Sequence, residues 1–347
     1  MSNQYKDIFD EFKQSYPNEN IQIGKQIERD GKVRYIKYRN KEAVGKIAET
    51  YYYDKTPEEK YFMQLRGQNI IKMYKIYSIR RHNKKYNIII MEKAFLKDLG
   101  KIIDFYFIHN ILRVINYETF DEKAGDNLLR FYSKQIIKGL ETLDRNDFVH
   151  FDIKPENILI SLNLIIKLSD FSSLSKIDSS MKLPKGTQGY MSPEYYIKKD
   201  VSADEAKKQD YFALGSTLFE LKYGEQLLKF EKFEDYMMNY DRIISLLEKK
   251  IAYIKSQKHP DKKFLNFLVN LIMYKPDERP SFEQIYRDKW LNKNNEELEK
   301  TFSIFHNDEE KLIEELQKKD FLLKKEKSFQ KEDNSSQIKF RFKKKIN

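Results

Sequence analysis

Apolar and polar positions alternate near the start of the chain. Ile21, Ile23 and Ile27 come first, then Val33-Arg34-Tyr35-Ile36-Lys37-Tyr38, then Ala43-Val44-Gly45-Lys46-Ile47. A period of two predicts β-strands over Ile21 to Ile47. Before them, Asp7–Gln14 reads as a short helix closed ahead of Pro17, suited to packing or capping. After them, Thr56 as N-cap, Pro57 at the first helical position and Glu59 three residues after Thr56 spell a capping box. Tyr61, Phe62 and Leu65 fall three, four and seven residues after Glu58, so one buried stripe extends that helix. Tyr86–Met91 is an apolar strand. Leu128, Phe131, Tyr132, Gln135, Ile136, Gly139, Leu140 and Leu143 recur at helical spacing and predict a core helix over Asn127–Arg145. The apolar content of Ile102–Ala124 suggests an added helix ahead of it, and Ile158-Leu159-Ile160 and Ile165–Leu168 read as further strands.

Composition narrows the class. With 347 residues, 40% hydrophobic content, 24 Tyr and 24 Phe, the chain holds ample material for a core. It has no Cys, which excludes disulfides, thiolate metal sites and thiol nucleophiles. The polar start Met1–Asp7 lacks a signal-peptide apolar region, and no apolar run reaches spanning length, since Ile102–Ile115 contains Asp104, His109, Asn110 and Arg113. An intracellular protein, cytoplasmic or nuclear, is the expectation. The net charge of +11 is spread through a Lys-rich chain with no recognised nucleic-acid module, so nucleic acid is not the expected partner.

The candidate chemistry sits in His150-Phe151-Asp152-Ile153-Lys154-Pro155-Glu156-Asn157. An Asp able to accept a hydroxyl proton, a Lys two residues on and an Asn five residues on place a base, a cation and an amide oxygen on one loop. The strand that follows would fix the loop to a rigid element. Downstream, Ile165–Ser169 reads as a strand ending in Asp170, and Gly186-Thr187-Gln188-Gly189-Tyr190-Met191-Ser192-Pro193-Glu194 follows. In this order and spacing the motifs resemble those of eukaryotic-type protein kinases of the Ser/Thr-directed branch, from about Ile21 to Leu291.

The resemblance implies an α+β, bilobal protein-kinase-like fold. Residues 21–91 would form a small β-rich lobe, 92–98 a hinge and 99–291 a large helical lobe, with an extension over 1–20 and a charged tail over 292–347. It implies ATP and Mg²⁺ as cofactors and a protein substrate bearing Ser or Thr. Asp152 would take the hydroxyl proton, Lys154 and Thr187 would assist it, and Asn157 and Asp170 would bind Mg²⁺. Lys46 would hold the phosphates with Glu58 as its ion-pair partner, Glu59 or Glu49 being alternatives. Gly31, Val33, Val44, Met91, Glu92, Ala94 and Asp98 would line the nucleotide site. Asp210 would brace the loop backbone, and Glu194 would pair with Arg279 of Lys275-Pro276-Asp277-Glu278-Arg279-Pro280-Ser281.

Three positions depart from the family pattern. Phe151 stands where an Arg that meets a phosphorylated activation segment is usual, and a ring cannot pair with phosphate. Ile27-Glu28-Arg29-Asp30 stands where glycines normally let backbone N–H groups approach phosphates, leaving only Gly31. Ser172 replaces the usual Gly. The first departure, with no hydroxyl residue in Met181–Lys185, argues against activation by phosphorylation just ahead of Gly186. The second keeps a rival open, a pseudokinase scaffold that binds partners or nucleotide without phosphoryl transfer. In the tail, Asn307–Glu310 starts a charged helix with Leu312, Leu316 and Leu323 along one face, and Ile338–Lys345 alternates apolar and basic residues, which reads first as a solvated tail, with a partner strand, an anionic-surface contact or a localisation signal as alternatives.

Overall fold

The computed structural model describes residues 4–28, 30–51, 53–61, 63–94, 98–99, 122–161, 165–178, 181–182, 186–198, 200–229, 240–257 and 261–293. The helix expected within 102–124, apart from its last residues, and the charged tail beyond Lys293 lie outside these residues.

The alternating stretches form a five-stranded antiparallel sheet. Strands β1 (Ile21–Gln26), β2 (Val33–Tyr38), β3 (Lys41–Tyr51), β4 (Met73–Arg81) and β5 (Lys84–Glu92) lie in the order β1-β2-β3-β5-β4. Arg39 and Asn40 both have positive φ, 49° and 64°, which is how a two-residue turn closes the β2–β3 hairpin without splaying it. Register sorts the side chains. Val33 lies opposite Lys46, and β3 sets Val44 against Met91, Lys46 against Ile89 and Ala48 against Asn87, so these share one face. Ile36, Ala43, Ile47, Tyr77, Ile79, Tyr86, Ile88 and Ile90 cluster on the other.

That second face is covered by α1 (Gln4–Ser15), longer than the Asp7–Gln14 expected and placed as a packing element. Its Ile8, Phe9 and Phe12 are fully buried in the same cluster as the sheet residues. On the first face sits α2 (Pro57–Tyr61). Here the structure corrects the sequence. The helix does not carry on through Leu65: Tyr61 O accepts from both Gln64 N at 2.8 Å and Leu65 N at 3.1 Å, a tightened closing turn. Within a few residues the chain must run extended, because Ile70 bridges to Leu168 and Ile71 N donates to Leu168 O at 2.9 Å. Leu65 is buried none the less; Phe62 lies outside the described residues. The capping box is only half formed. Thr56 Oγ1 accepts from Glu59 N at 3.3 Å, but the Glu59 carboxylate turns to Lys85 Nζ at 2.9 Å and Asn87 Nδ2 at 2.8 Å. A buried ammonium without a carboxylate costs more than an unmet helix-end N–H, so Lys85 takes Glu59.

The larger, helical part begins with α3 (Glu122–Asp144), which starts ahead of the expected Asn127. Its Tyr132, Ile136, Leu140 and Leu143 are buried as the spacing predicts. Gln135 joins them by its amide, Oε1 accepting from Ile166 N at 2.9 Å. Short strands β6 (Phe148–Val149), β7 (Ile158–Ile160), β8 (Ile166–Leu168) and β9 (Ser175–Lys176) follow, pairing β6 with β9 and β7 with β8. The pair β10 (Met181–Lys182) and β11 (Asp200–Val201) leads to α4 (Ala203–Tyr223). Ser202 and Glu205 cap α4 reciprocally, Gly224 closes it at φ 71°, and its residues from Lys208 to Phe219 are all buried. Helices α5 (Tyr240–Ser256), α6 (Lys262–Leu271) and α7 (Phe282–Tyr286) complete the core around α4, with Trp290 fully buried against Phe264 and Phe267. Among the described residues no helix is long and apolar enough to cross a membrane.

Candidate active site

The loop between β6 and β7 is fixed from beneath. Asp210, on α4, accepts from His150 N at 2.7 Å and Phe151 N at 2.9 Å. Those bonds hold Phe151 at φ 64°, a left-handed conformation that costs an aromatic residue about 1–3 kcal/mol and persists only where its surroundings impose it. Burial pushes the Asp210 carboxyl up to about 7, while the two N–H donors pull the other way. His150 is fully buried, and burial lowers its imidazole from the usual range. Its Nδ1 accepts from Asp152 N at 3.3 Å, so the neutral ring carries its proton on Nε2 and donates to Ser169 O at 3.1 Å.

Above this base the Asp152 carboxylate is gripped on both oxygens. Oδ1 accepts from Thr187 Oγ1 at 2.6 Å and from Thr187 N at 3.0 Å. Oδ2 accepts from Asn157 Nδ2 at 2.8 Å and lies 2.9 Å from Lys154 Nζ, which itself donates to Thr187 Oγ1 at 2.6 Å. Asn157 Nδ2 also donates to Asp152 O at 2.8 Å. The Asn157 amide is thereby oriented with its Nδ2 toward Asp152 and its Oδ1 outside these bonds.

A second carboxylate, Asp170, follows Ser169, whose N and Oγ both donate to Asn157 O at 2.9 Å. Asp170 follows β8 at φ 59°, a conformation Asp tolerates better than most residues, and accepts from Ser172 N at 3.3 Å. Lys46 Nζ donates to Asp170 Oδ1 and lies 3.5 Å from Glu58 Oε1, so one ammonium joins β3, α2 and the loop after β8. The Glu58 contact is an ion pair without hydrogen-bond geometry. Burial pulls the Lys46 ammonium down, but Asp170 and Glu58 outweigh it and the net shift is upward. Burial works against the Asp170 carboxylate too, and Lys46 prevails, holding it well below the usual range. With 35% of its side chain exposed, Asp170 opens toward the cleft.

The structure brings Lys46, Glu58, Asp152, Lys154, Asn157, Asp170 and Thr187 together between the two parts of the molecule. Val33, Val44 and Met91 share the sheet face of Lys46. Gly31 sits at φ 81° in the β1–β2 turn, where Gly31 N donates to Glu28 O at 3.1 Å and Lys32 N donates to Asp30 Oδ1 at 2.9 Å. Glu92 ends β5, with Oε1 accepting from Lys72 N at 2.8 Å and lying 3.2 Å from Lys167 Nζ; Ala94 follows half-buried. Asp98 is buried and its backbone bridges to Leu159. Of the alternative partners for Lys46, Glu59 is taken by Lys85 and Glu49 by Lys84. Below the loop, Arg279 grips Glu194 with its two terminal guanidinium nitrogens at 2.7 and 2.6 Å, both buried, and donates from Nε to Met273 O at 2.7 Å.

The donor set suits a hard cation. Asn157 Oδ1 and the Asp170 carboxylate could serve as oxygen ligands, and Mg²⁺ prefers one or two such ligands, with phosphates and waters filling the octahedron. Lys46 and Lys154 could supply positive charge to a polyphosphate.

The sequence profile of the family described as protein kinase domain matches residues 24–291. The chain belongs to that family. It is 30% identical over 188 residues to Aurora kinase of Eremothecium gossypii, covering 52% of this chain and 48% of that protein. Serine/threonine-protein kinase PSK2 of Saccharomyces cerevisiae is 26% identical over 204 residues, or 56% of this chain and 17% of the relative. Citron rho-interacting kinase of Rattus norvegicus is 33% identical over 121 residues, or 33% of this chain and 6% of the relative. The chain thus spans less than half of each of these kinases. The five-stranded sheet over a helical body is the bilobal kinase fold, and the family relationship is to the eukaryotic-type Ser/Thr branch.

Several residues that shape the site carry no motif. Asn87 and Lys85, which claim Glu59, read in the sequence as ordinary strand positions. Phe151 and Tyr195 meet with ring centroids 5.7 Å apart, a contact that only the fold brings about.

Proposed function

We propose that this chain is a protein serine/threonine kinase that transfers the γ-phosphate of Mg·ATP to Ser or Thr hydroxyls of protein substrates. The observation that carries the reading is the two-sided grip on Asp152 by Thr187, Asn157 and Lys154. It leaves one carboxylate oriented in a loop facing the Lys46–Asp170 pair, with a cation beside it.

Asp152 accepts the proton of the substrate hydroxyl as that oxygen bonds to the γ-phosphorus and the bond to the β–γ bridging oxygen breaks, releasing ADP. Lys154 neutralises charge on the transferred group while holding Thr187, and Thr187 fixes Asp152. Lys46, oriented by Glu58, meets the α- and β-phosphates. Mg²⁺, when held by Asn157 Oδ1 and the Asp170 carboxylate, supplies neutralisation of the charge on the phosphates. Val33, Val44 and Met91 form the apolar surface for the base, Glu92 and Ala94 offer backbone groups to it, and Asp98 lies toward the ribose. The work is positioning and electrostatics.

We read the kinase as independent of activation-segment phosphorylation. Phe151 is 1% exposed in an apolar cluster with Val149, Tyr195, Val201 and Ala206, so packing takes the place of a phosphate contact. Ile27–Asp30 in the β1–β2 turn favours the scaffold reading; the complete set of Lys46, Asp152, Asn157 and Asp170 opposes it. The test is transfer of labelled γ-phosphate to the protein itself and to a mixed Ser/Thr peptide pool, comparing wild type with Asp152→Asn. Transfer lost in the variant supports the kinase. No transfer by either, with both folded, selects the scaffold.

A further inference from the structure

Helix α1 belongs to no motif, yet it is built into the sheet directly behind Lys46. Gly45 and Ile47 flank Lys46 on β3 and point to the opposite face, toward α1. At Gly45 a Cβ would stand 3.0 Å from Phe9 Cε1 and 3.5 Å from Ile36 Cγ2, so the Phe9 ring occupies the space that a side chain at 45 would need. Arg34, the cross-strand neighbour of Gly45, lies over that ring at 5.7 Å, and Arg81 ties Glu11 to β4.

A second set of contacts reaches the Glu58 helix. At the end of α1, Tyr16 packs on Phe12 and Tyr77 and donates to Ser78 O at 3.2 Å. Across the sheet Ser78 Oγ donates to Asn87 Oδ1 at 2.6 Å, and Asn87 Nδ2 donates to Glu59 Oε2 at 2.8 Å, next to Glu58. Beyond Tyr16, Glu19 pins the following turn by accepting from Arg39 Nε at 2.8 Å and Lys75 Nζ at 2.9 Å.

We propose that α1 is a positioning element for the Lys46–Glu58 pair, with Phe9 seating the strand of Lys46 through Gly45 and Tyr16 seating the helix of Glu58 through Ser78 and Asn87. The two routes start from α1 and the residue that closes it and end on the immediate neighbours of the two ion-pair partners, Gly45 beside Lys46 and Glu59 beside Glu58, so their relative position is set from outside the cleft. The catalytic consequence rests on the phosphotransfer reading; the placement of Lys46 does not.

The test uses the full chain with Phe9→Ala, Phe9→Ala/Gly45→Val, Tyr16→Phe and the exposed-site control Asp10→Ala. Two readouts are taken well below each melting temperature: steady-state kinetics for Mg·ATP, and acylation of Lys46 by an amine-reactive ester relative to Lys222 on α4. Phe9→Ala should raise the KM for Mg·ATP at least about tenfold, more than it changes kcat, because displacing a phosphate-binding group by about 1 Å has effects of that order. Lys46 labelling should rise several-fold while Lys222 and Asp10→Ala stay put. Gly45→Val refills the space and should restore both readouts. Unchanged Lys46 labelling in folded Phe9→Ala overturns the proposal whether or not phosphate is transferred. If Phe9→Ala does not fold, Tyr16→Phe, which removes one hydroxyl, carries the same readouts and the same overturning result. A wild type that transfers nothing but keeps the labelling contrast retires the kinase reading and leaves the role of α1 standing.

Discussion

The two lobes hold their share of the site by different means. In the helical lobe, Asp152 is fixed by residues within a few positions of it and by Thr187, and the loop beneath hangs from one buried carboxylate, Asp210. In the sheet lobe, Lys46 is fixed by ion pairs to Glu58 and Asp170, and its strand is seated by a helix from the far side. The first arrangement is hydrogen-bonded, drawing on the loop itself, Thr187 and Asp210. The second is assembled from four separate stretches of chain, β3, α2, the loop after β8 and α1, so it depends on the whole lobe folding correctly.

The sharpest way to break this comparison is at Asp152. Asp152→Asn keeps the shape and removes the proposed base, and should lower kcat by about 10²–10⁴-fold, with a stability cost of about 1–3 kcal/mol because its amide nitrogen faces donors on one side; a folded variant of near-normal kcat would show that the grip on Asp152 is structural. Next comes Arg279→Met, which strands Glu194 in a buried site. Breaking such a pair costs about 3–5 kcal/mol, read as a lower urea midpoint. Asp210→Asn should cost about 1–3 kcal/mol, because its amide accepts from one of the two N–H groups and leaves the other unmet.

Asp210 also gives a pH signature. Its folded value of about 7 lies above the unfolded 3.8, so its contribution is fullest below 3.8 and is lost as pH rises through 7. The stability of the wild type relative to Asp210→Asn should therefore decline from pH 4 to pH 7.5 by urea titration; parallel curves would show that the two N–H donors, rather than burial, set this carboxyl. The smallest effect belongs to the sheet lobe. Tyr77, Lys75 and Arg39 hold the Glu19 carboxyl down to about 2, so its contribution is present above 4.5 and lost as pH falls through 2. Arg39 is 62% exposed, and Glu19→Gln should cost no more than about 1 kcal/mol at neutral pH.

What the sequence made legible follows the same division. Asp152, Lys154, Asn157 and Asp170 lie on two short stretches whose spacing carries their proposed chemistry, and Glu194, Asp210 and Arg279 make the contacts the motifs imply. The length of α2 was not legible. Tyr61 and Leu65 fit a longer helix, but the bridge from Ile70 to Leu168 is a long-range demand that no local pattern records. Glu59 likewise looked like half of a capping box until buried Lys85 claimed it. The fit of Phe9 onto Gly45 joins residues 36 positions apart through volume alone, and a glycine in a strand does not announce which ring will fill its place.

Phe151 carries a consequence for the conditions under which the segment near Tyr195 and Val201 stays docked. A guanidinium–phosphate clasp loosens as ionic strength rises, whereas apolar burial is indifferent to screening and is strengthened by salts excluded from protein surfaces. Its weakness is cold, since the hydrophobic driving force fades on cooling. This segment should therefore tolerate brine and loosen near freezing.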